Sequence, residues 1–236
     1  ITRNEAPNLP DCLASLSFCD EIVVVDQARA DDTVTIATKA GARVVERPHF
    51  TGFGRQKQAA LDEANGEWVF SIDADERVPE ALAREIRAAI ERGDHAGYRV
   101  NRRTFFLGRY LKHGGWYPDR VLRLARRDTA RFTPDAVHER LDVKGSVGNL
   151  ENDMLHMSYL TIDDVLTKQR RYALLSARVR RERGAQGGLF AASVRSLFTF
   201  VKGYVLQLGF LDGAHGLVAA RARAQETFWR YLAAGW

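Results

Sequence analysis

Short apolar runs alternate with helix-like segments through the first hundred residues. β-Branched and apolar residues fill Glu21–Asp26, Ala42–Glu46 and Trp68–Ile72, and each run has the length of one strand. The segments between and after them have helical composition, most clearly Glu80–Arg92. Strands that alternate with helices at these lengths predict an α/β fold with a sheet whose early strands are parallel.

The pattern changes twice further along the chain. From Gly97, short polar and aromatic alternations such as GYRVNRRTFFLGRYL indicate antiparallel strands and loops. From Thr161 the sequence is helical, with one break at Gly184–Gly188. We therefore expect one domain over residues 1–160, with halves 1–96 and 97–160, followed by a helical region over residues 161–236.

Acidic residues follow two of the predicted strands. The run WVFSIDADER contains Asp73, Asp75 and Glu76, and Asp26 ends the first strand. Ligands bind beyond the carboxyl ends of strands in such sheets, so these carboxylates are expected to face one crevice. Asp73 and Asp75 alternate onto one side of an extended chain and can present oxygens to Mg²⁺ or Mn²⁺. The alternative is that they cap the helix beginning near Pro79 or pair with surface arginines.

The net charge of the chain limits the classes of partner that it could bind. A net charge of +5 and a pI of about 9.4 suit nucleic acid, an anionic membrane surface or a phosphorylated substrate. Arginines crowd residues 99–127 and 170–183, where solvated faces are the alternative to binding surfaces. An acidic crevice repels phosphates unless a metal bridges them, so we expect no nucleic-acid partner. Hydrophobic residues at 45% and charged residues at 28% exclude a disordered or coiled-coil chain.

The two cysteines and the first residues of the sequence indicate the cellular compartment of the protein. Cys12 and Cys19 lie seven residues apart in a predicted helix, too far for a disulfide, and unpaired thiols indicate a reducing compartment. The sequence shows no charged-then-apolar leader and no run of 18 uncharged apolar residues, so we expect neither export nor a membrane span. Ile1 is not Met and opens on what resembles the tail of a strand, so we expect residues to precede it in the full protein.

Several short motifs, taken in order, carry a resemblance to a known family. They are TRNE at 2–5, VVVD at 23–26 with DDT at 31–33, GFGRQ at 52–56, SIDADE at 71–76, GWYPD at 115–119, VHE at 137–139 and FLDG at 210–213. This set is similar to the family 2 glycosyltransferases of the GT-A fold, and most similar to their small lipopolysaccharide-core branch. The resemblance implies a Rossmann-like mixed sheet flanked by helices, here with a C-terminal helical extension. Two departures are the loop Gln27-Ala28-Arg29-Ala30, where the family has a small serine-rich turn, and Gln58 in place of Asn.

The resemblance also implies a nucleotide-sugar donor in the first half and a divalent metal, Mn²⁺ or Mg²⁺. Matching positions carry the donor contacts to Thr2, Asn4, Glu5, Asp26, Lys57 and Asp73. Among these, Glu5 and Asp26 would contact the nucleoside and Lys57 would lie near the diphosphate. Asp75 and Asp73 would serve the metal and the ribose, and His156 is a further candidate metal ligand. A purely structural histidine is the alternative for His156.

The second half is expected to bind the acceptor. Inverting transfer needs a base that takes the proton of the acceptor hydroxyl, and a carboxylate suits that role. Glu139 matches the family's acceptor-side acid, Asp119 is the second candidate, and a surface Glu paired with an arginine is the alternative. Aromatic and basic residues complete the predicted acceptor contacts: Trp116, Tyr117, Arg120, His138, Arg171 and Tyr172. For these, core packing and a solvated helix face are the alternatives.

An apolar stretch follows near the end of the chain. Leu189–Leu211 has the length of a bilayer span, but Arg195 and Lys202 interrupt it, and each would cost a few kcal/mol at mid-membrane. Its apolar residues recur at helical spacing: Leu197, Phe198, Val201, Val205 and Leu208. With basic residues beside them, they predict a helix on an anionic membrane surface. Docking on the catalytic domain or on a second subunit is the alternative.

Together with the resemblance, these features predict a metal-dependent inverting glycosyltransferase in the cytoplasm, at the inner face of the cytoplasmic membrane. It would move one hexose, with UDP-glucose as the donor, to a lipopolysaccharide-core or other lipid-linked glycan acceptor. Two alternatives stay open: a catalytically impaired nucleotide-binding family member, and a metal-dependent phosphatase with an Asp-x-Asp motif. The phosphatase is disfavoured because its motif follows the first strand, whereas Asp73 follows the third predicted strand.

Overall fold

The computed structural model describes residues 1–27, 31–49, 51–134, 139–185 and 187–236. They form two compact units, the first from residues 1–102 and 120–156 and the second from residues 103–119 and 157–236. The strands are β1 Val23–Asp26, β2 Arg43–Glu46, β3 Trp68–Phe70, β4 Glu76–Arg77, β5 Gly97–Phe106, β6 Arg109–Tyr110, β7 Arg120–Arg126, β8 Ala130–Phe132, β9 Leu141–Val143 and β10 Val147–Tyr159. The α-helices are α1 Leu9–Ala14, α2 Thr33–Lys39, α3 Phe53–Glu63, α4 Glu80–Arg92, α5 Ile162–Glu182, α6 Leu189–Val201 and α7 Gly213–Ala234.

A short parallel pair opens the first unit. β1 and β2 pair from Val23 opposite Arg43 to Asp26 opposite Glu46, which confirms the predicted parallel orientation of these early strands. Thr2 forms an isolated parallel bridge to Asp26 on the same pair. The segment TRNE therefore lies directly beside the carboxyl end of β1.

The larger sheet has the strand order β3-β7-β5-β10-β4, with β6 beside β5. β7 pairs antiparallel with β3 and with β5, and β4 pairs antiparallel with β10, so the antiparallel character predicted after Gly97 is confirmed. The prediction of a parallel third strand is wrong, because β3 lies next to antiparallel β7. An apolar run reports burial but not the direction of its neighbour, which is why the sequence could not decide this.

The main core of the first unit forms between α4 and the sheet. Leu82, Ile86 and Ala89 of α4 are spaced to share one helix face, and all three are buried with Tyr98 and other core residues. Gly93 ends the helix in the left-handed conformation, at φ 60°. The boundaries of α4 agree with the predicted helix, because the spacing of its apolar residues and the glycine at its end indicate the same helix.

Helix α1 is shorter than predicted. It ends at Ala14, and Ser15 Oγ donates a hydrogen bond to the Cys12 carbonyl oxygen, a local bond that competes with helix continuation. Cys19 therefore lies beyond the helix rather than within it. Both cysteines are free thiols, as expected.

Three helices make up most of the second unit. α5 begins with a capping box: Thr161 Oγ1 accepts from the Asp164 N–H, and the Asp164 carboxylate accepts from the Thr161 N–H. α6 continues through a π-helical turn, and a 3-10 turn then leads into α7. Glycine is required where these segments meet, because a Cβ on Gly216 would lie 1.8 Å from the Gly209 carbonyl oxygen.

Large apolar side chains are exposed on the second unit. Across the described part of the chain, every large hydrophobic side chain with substantial exposure lies between Leu160 and Trp236. The five residues of the predicted apolar face are exposed, from 37% at Val201 to 65% at Leu197. Within the described helices, Leu189–Leu206 is long and apolar enough to cross a membrane by length and composition alone, and 17% of it is buried.

Candidate active site

The turn after β3 carries the acidic motif and packs against β1. Ala74 is buried in a cluster with Val24 and Leu13, which holds the motif close to the strand that ends in Asp26. Residues 74 and 75 lie in a turn rather than in extended chain, so the expected strand-like alternation of Asp73 and Asp75 is not observed. The two carboxylates consequently have different partners.

Arg123 of β7 neutralises the buried side of this turn. Its Nη2 lies 2.8 Å from Asp73 Oδ2 and 2.5 Å from Glu76 Oε1. Arg102 Nη1 lies 3.7 Å from the same Glu76 oxygen. Glu76 is fully buried, and it also accepts a hydrogen bond from the Asp73 backbone N–H. Buried charges need such partners, so Glu76 and Arg123 act as the support of the motif.

Charge and burial set the protonation of this group. Burial opposes ionisation of Asp73, but the charges of Arg123 and Lys57 outweigh it and hold the pKa of Asp73 well below its usual range. At Glu76 burial dominates and raises the pKa despite Arg123. Of these two carboxyl groups, Asp73 is therefore the one that stays ionised, and it can accept hydrogen bonds from hydroxyl groups or bind cations.

Lys57 of α3 connects the acidic motif with Glu139. Its Nζ lies 3.0 Å from Asp73 Oδ1 and 3.0 Å from Glu139 Oε1. The Lys57 and Glu139 side chains are 12% and 15% exposed, so water screens these contacts only weakly. The structure thus brings together three side chains that the sequence assigned to the diphosphate, the donor and the base.

Asp75 lies beside His156. Its Oδ2 is 3.3 Å from His156 Nε2, because the antiparallel pairing of β4 and β10 places His156 directly opposite Glu76. Within the described ranges, no three His, Cys, Asp or Glu side chains form a group that could hold a metal ion by themselves. A divalent cation here would take Asp75 and His156 from the protein and its remaining ligands from phosphate or water.

The first residues of the chain connect with the end of β1. Thr2 Oγ1 donates a 2.8 Å hydrogen bond to Asp26 Oδ2, and both residues are buried. The Glu5 N–H donates to Thr33 Oγ1 over 2.9 Å, and Asn4 has a positive φ of 57°. The TRNE and DDT motifs therefore touch. In the loop that differs from the family pattern, residues 28–30 lie outside the described residues.

Candidate acceptor aromatics occupy the second unit. The Trp116 ring lies 5.8 Å from Phe106 and 5.7 Å from Tyr159, and Arg223 Cζ lies 4.4 Å from its centre on one face. This packing favours the core alternative for Trp116, and its stacking on a sugar stays a prediction. Arg223 also interacts electrostatically with Asp119.

The remaining predicted acceptor residues are dispersed. Tyr117 is half-buried, and its peptide bond to Pro118 is cis. Arg120 is exposed at the start of β7 in the first unit. Arg171 and Tyr172 are exposed on α5 in the second unit, and His138 lies outside the described residues.

Sequence reasoning missed Arg123 as part of the site. The signal was present, since Arg123 stands between two leucines in the apolar run VLRLAR, where an arginine must find a buried partner. It also missed the role of Asp212 in the FLDG motif, which contacts backbone a hundred residues earlier in the chain. That contact has no local signal.

Comparison with known proteins gives consistent likenesses. Residues 1–140 match the family described as Glycosyl transferase family 2. The chain is 31% identical to the lipopolysaccharide core biosynthesis glycosyltransferase LpsC of Rhizobium meliloti (strain 1021), over 98% of this chain and 91% of that protein. It is 28% identical to the uncharacterized glycosyltransferase RC0292 of Rickettsia conorii, over 92% of this chain and 82% of that protein.

Solved structures bear on the fold. The crystal structure of S. aureus TarS 1–349 in complex with UDP covers 99% of this chain and 88% of that chain, at a TM-score of 0.52 and 15% identity. The same fragment without a named ligand gives a TM-score of 0.50 over the same shares of the two chains, at 14% identity. This likeness confirms the predicted GT-A fold, a mixed sheet flanked by helices.

Proposed function

Because the chain belongs to glycosyl transferase family 2, we propose that it is a metal-dependent inverting hexosyltransferase with UDP-glucose as its donor. The proposed acceptor is a lipopolysaccharide-core or other lipid-linked glycan, by analogy with the activity named for LpsC. UDP is the nucleotide bound by TarS, which has the same fold. The family assignment removes the support for a phosphatase.

Donor binding is proposed for the cluster around Asp73. Thr2, Asn4, Glu5 and Asp26 would surround the nucleoside, and Asp73 the ribose. Asp75 and His156 would hold Mn²⁺ or Mg²⁺, which stabilises the negative charge that grows on the leaving diphosphate. Four carboxylates face three basic side chains here: Asp73, Asp75, Glu76 and Glu139 against Lys57, Arg102 and Arg123. The two positive charges of a divalent cation equal the two negative charges of the diphosphate. The net charge of the site would therefore be the same with metal and donor bound as without them.

Glu139 is proposed as the base that takes the acceptor proton. The observation that carries the proposal is the position of Lys57 Nζ, 3.0 Å from both Asp73 and Glu139. A base must reach the acceptor hydroxyl, which attacks the anomeric carbon on the face away from the leaving diphosphate, so it must lie within about the width of one sugar ring of the donor site. Asp119 remains the second candidate for this role.

The proposed division of labour places catalysis in residues 1–160 and membrane association in residues 161–236. Support comes from the exposed apolar side chains of α6, among which Phe190 is 83% exposed. Lys202 and Arg195 on the same segment suit an anionic surface. We place the enzyme in the cytoplasm, at the inner face of the cytoplasmic membrane. The candidate contacts to the glycan acceptor are Trp116, Tyr117, Arg120, His138, Arg171 and Tyr172.

Calorimetric titration of UDP tests the donor site. We expect binding in the presence of Mn²⁺, its loss in EDTA, and a loss of at least about tenfold in affinity for Asp75→Asn, since one ligand and one charge are removed. Asp128→Asn is the matched control, because Asp128 is 70% exposed and pairs with Arg126 at the surface. Equal UDP affinity with Mn²⁺ and with EDTA would refute metal dependence, and absence of UDP binding throughout would refute the donor assignment.

A further inference from the structure

A second pocket lies in the second unit, between α6 and α7. It has a volume of about 550 Å³, and its polar lining includes Thr199, Lys202, Arg223, Glu226, Thr227 and Arg230. We call it the basic pocket. Pockets of this size hold small ligands such as a sugar phosphate.

The charge of the basic pocket is positive. Three basic side chains line it against the single carboxylate of Glu226, and Asp119 adds one further negative charge through its interaction with Arg223. Even with both carboxylates counted, one positive charge remains. Glu226 is already engaged with the Arg230 Nη2 by an ion pair along α7. The pocket therefore has the sign that attracts an oxyanion.

Arg230 carries a donor without a partner. Its Nε is buried and has no hydrogen-bond partner among the described residues, and of the five buried side-chain atoms in that state it is the one whose residue lines this pocket. An unsatisfied buried donor is costly, and an oxygen-rich ligand would relieve that cost.

Other groups of the pocket are held in place before any ligand arrives. Arg223 stacks on the Trp116 ring and its Nη1 donates to the Gly114 carbonyl oxygen over 3.1 Å. Thr199 Oγ1 donates to the Arg195 carbonyl oxygen over 2.8 Å and lies 3.4 Å from Thr227 Oγ1, so two hydroxyls are held side by side between α6 and α7. Preorganised donors and cations lower the entropy lost when an anion binds.

We propose that the basic pocket binds the phosphate group of a phosphorylated saccharide. The shared chemistry is a phosphate ester, which a phospholipid headgroup could also supply. The assignment to a saccharide rests on the proposed function, because a glycosyltransferase must hold a glycan acceptor. The existence of the phosphate site rests only on the charge, the unsatisfied donor and the hydroxyl pair.

Calorimetric titration of the intact chain with glucose 6-phosphate, glucose and inorganic phosphate tests the proposal. We expect binding of glucose 6-phosphate and phosphate but not glucose, and at least tenfold weaker binding of glucose 6-phosphate by the double variant Lys202→Gln, Arg230→Gln. The matched control is Arg84→Gln, Arg178→Gln, which removes the same charge from side chains that are 70% and 74% exposed. Its affinity should stay within twofold of the wild type. Lys202→Gln alone is the fallback if the double variant does not fold, because Lys202 is exposed.

Two further arms separate the outcomes. Sedimentation with phosphatidylglycerol and phosphatidylcholine vesicles reports the other phosphate source: loss of vesicle binding in the pocket variant, with no binding of glucose 6-phosphate by the wild type, would overturn the saccharide assignment. Equal weakening in pocket and control variants would overturn the phosphate site. UDP binding with Mn²⁺ should be unchanged in the pocket variant, so failure of the donor site and failure of this pocket give different results.

Discussion

Replacing Asp212 by alanine should loosen the segment that carries Trp116 and Asp119. Asp212 is 2% exposed, and its Oδ2 accepts the backbone N–H of Lys112 over 3.0 Å and that of His113 over 2.8 Å. Its Oδ1 lies 3.3 Å from His113 Nδ1. One carboxylate thus fixes the start of the segment to the turn before α7.

The expected magnitude follows from the donors left behind. Each buried N–H without an acceptor costs about 1–3 kcal/mol, and two are released. Lys112 is exposed and His113 half-buried, so water reaches part of this region, and we expect a loss of about 3 kcal/mol in the free energy of unfolding. For a chain of this size that lowers the thermal midpoint by about 6–12 °C. Asp212→Asn keeps an oxygen for the N–H groups and should lose only about 1 kcal/mol.

The pH dependence has a defined sign. Burial opposes ionisation of Asp212, but the N–H groups of His113 and Lys112 lower its pKa below the ordinary value of 3.8. A carboxyl whose pKa is lower in the folded state adds stability that is present above its ordinary pKa and is lost as the pH falls through the folded pKa. The difference between wild type and Asp212→Asn should therefore shrink as the pH falls below about 4.

Urea unfolding and hydrogen exchange would measure both effects. Amides of Lys112 and His113 should exchange faster in Asp212→Ala, since they lose their acceptor. Asp128→Ala is the control, because its carboxylate is 70% exposed. The reasoning would be refuted if Asp212→Ala unfolded within about 1 kcal/mol of the wild type and the two amides exchanged at unchanged rates.

Three further predictions concern the first unit. Glu139→Gln should keep UDP affinity but slow release of UDP from UDP-glucose by about 10²–10⁴-fold, and a loss under about tenfold would argue against a base. Arg123→Met should cost about 3–5 kcal/mol in urea unfolding because it removes the cation closest to buried Glu76, while the exposed Arg84→Met should cost about 0.5 kcal/mol or less. A cost for Arg123→Met similar to the Arg84 control would contradict its role. Burial raises the pKa of Cys12 to about 12 and that of Cys19 to about 11, so a thiol reagent at about pH 8 should label them only on unfolding, and rapid labelling of the folded chain would disagree.

Local sequence predicted much of the fold of the first unit. α4 was predicted with its observed bounds because Leu82, Ile86 and Ala89 recur at helical spacing and Gly93 follows them. β1 was predicted from its β-branched run, and Asp26 at its end from the same run. The direction of β3 was predicted wrongly, because an apolar run carries no information about which strand lies beside it.

The sequence by itself determined which residue faces are apolar and which strand ends carry carboxylates, since burial repeats with the period of each element. It also determined the apolar face that begins in α6, and its five residues are exposed: Leu197, Phe198, Val201, Val205 and Leu208. Only the tertiary structure decided which distant side chains meet: Lys57 with Glu139, and Asp212 with the Lys112 backbone. Such contacts depend on how packed elements bring separate parts of the chain together, and neither spacing nor propensity encodes that arrangement.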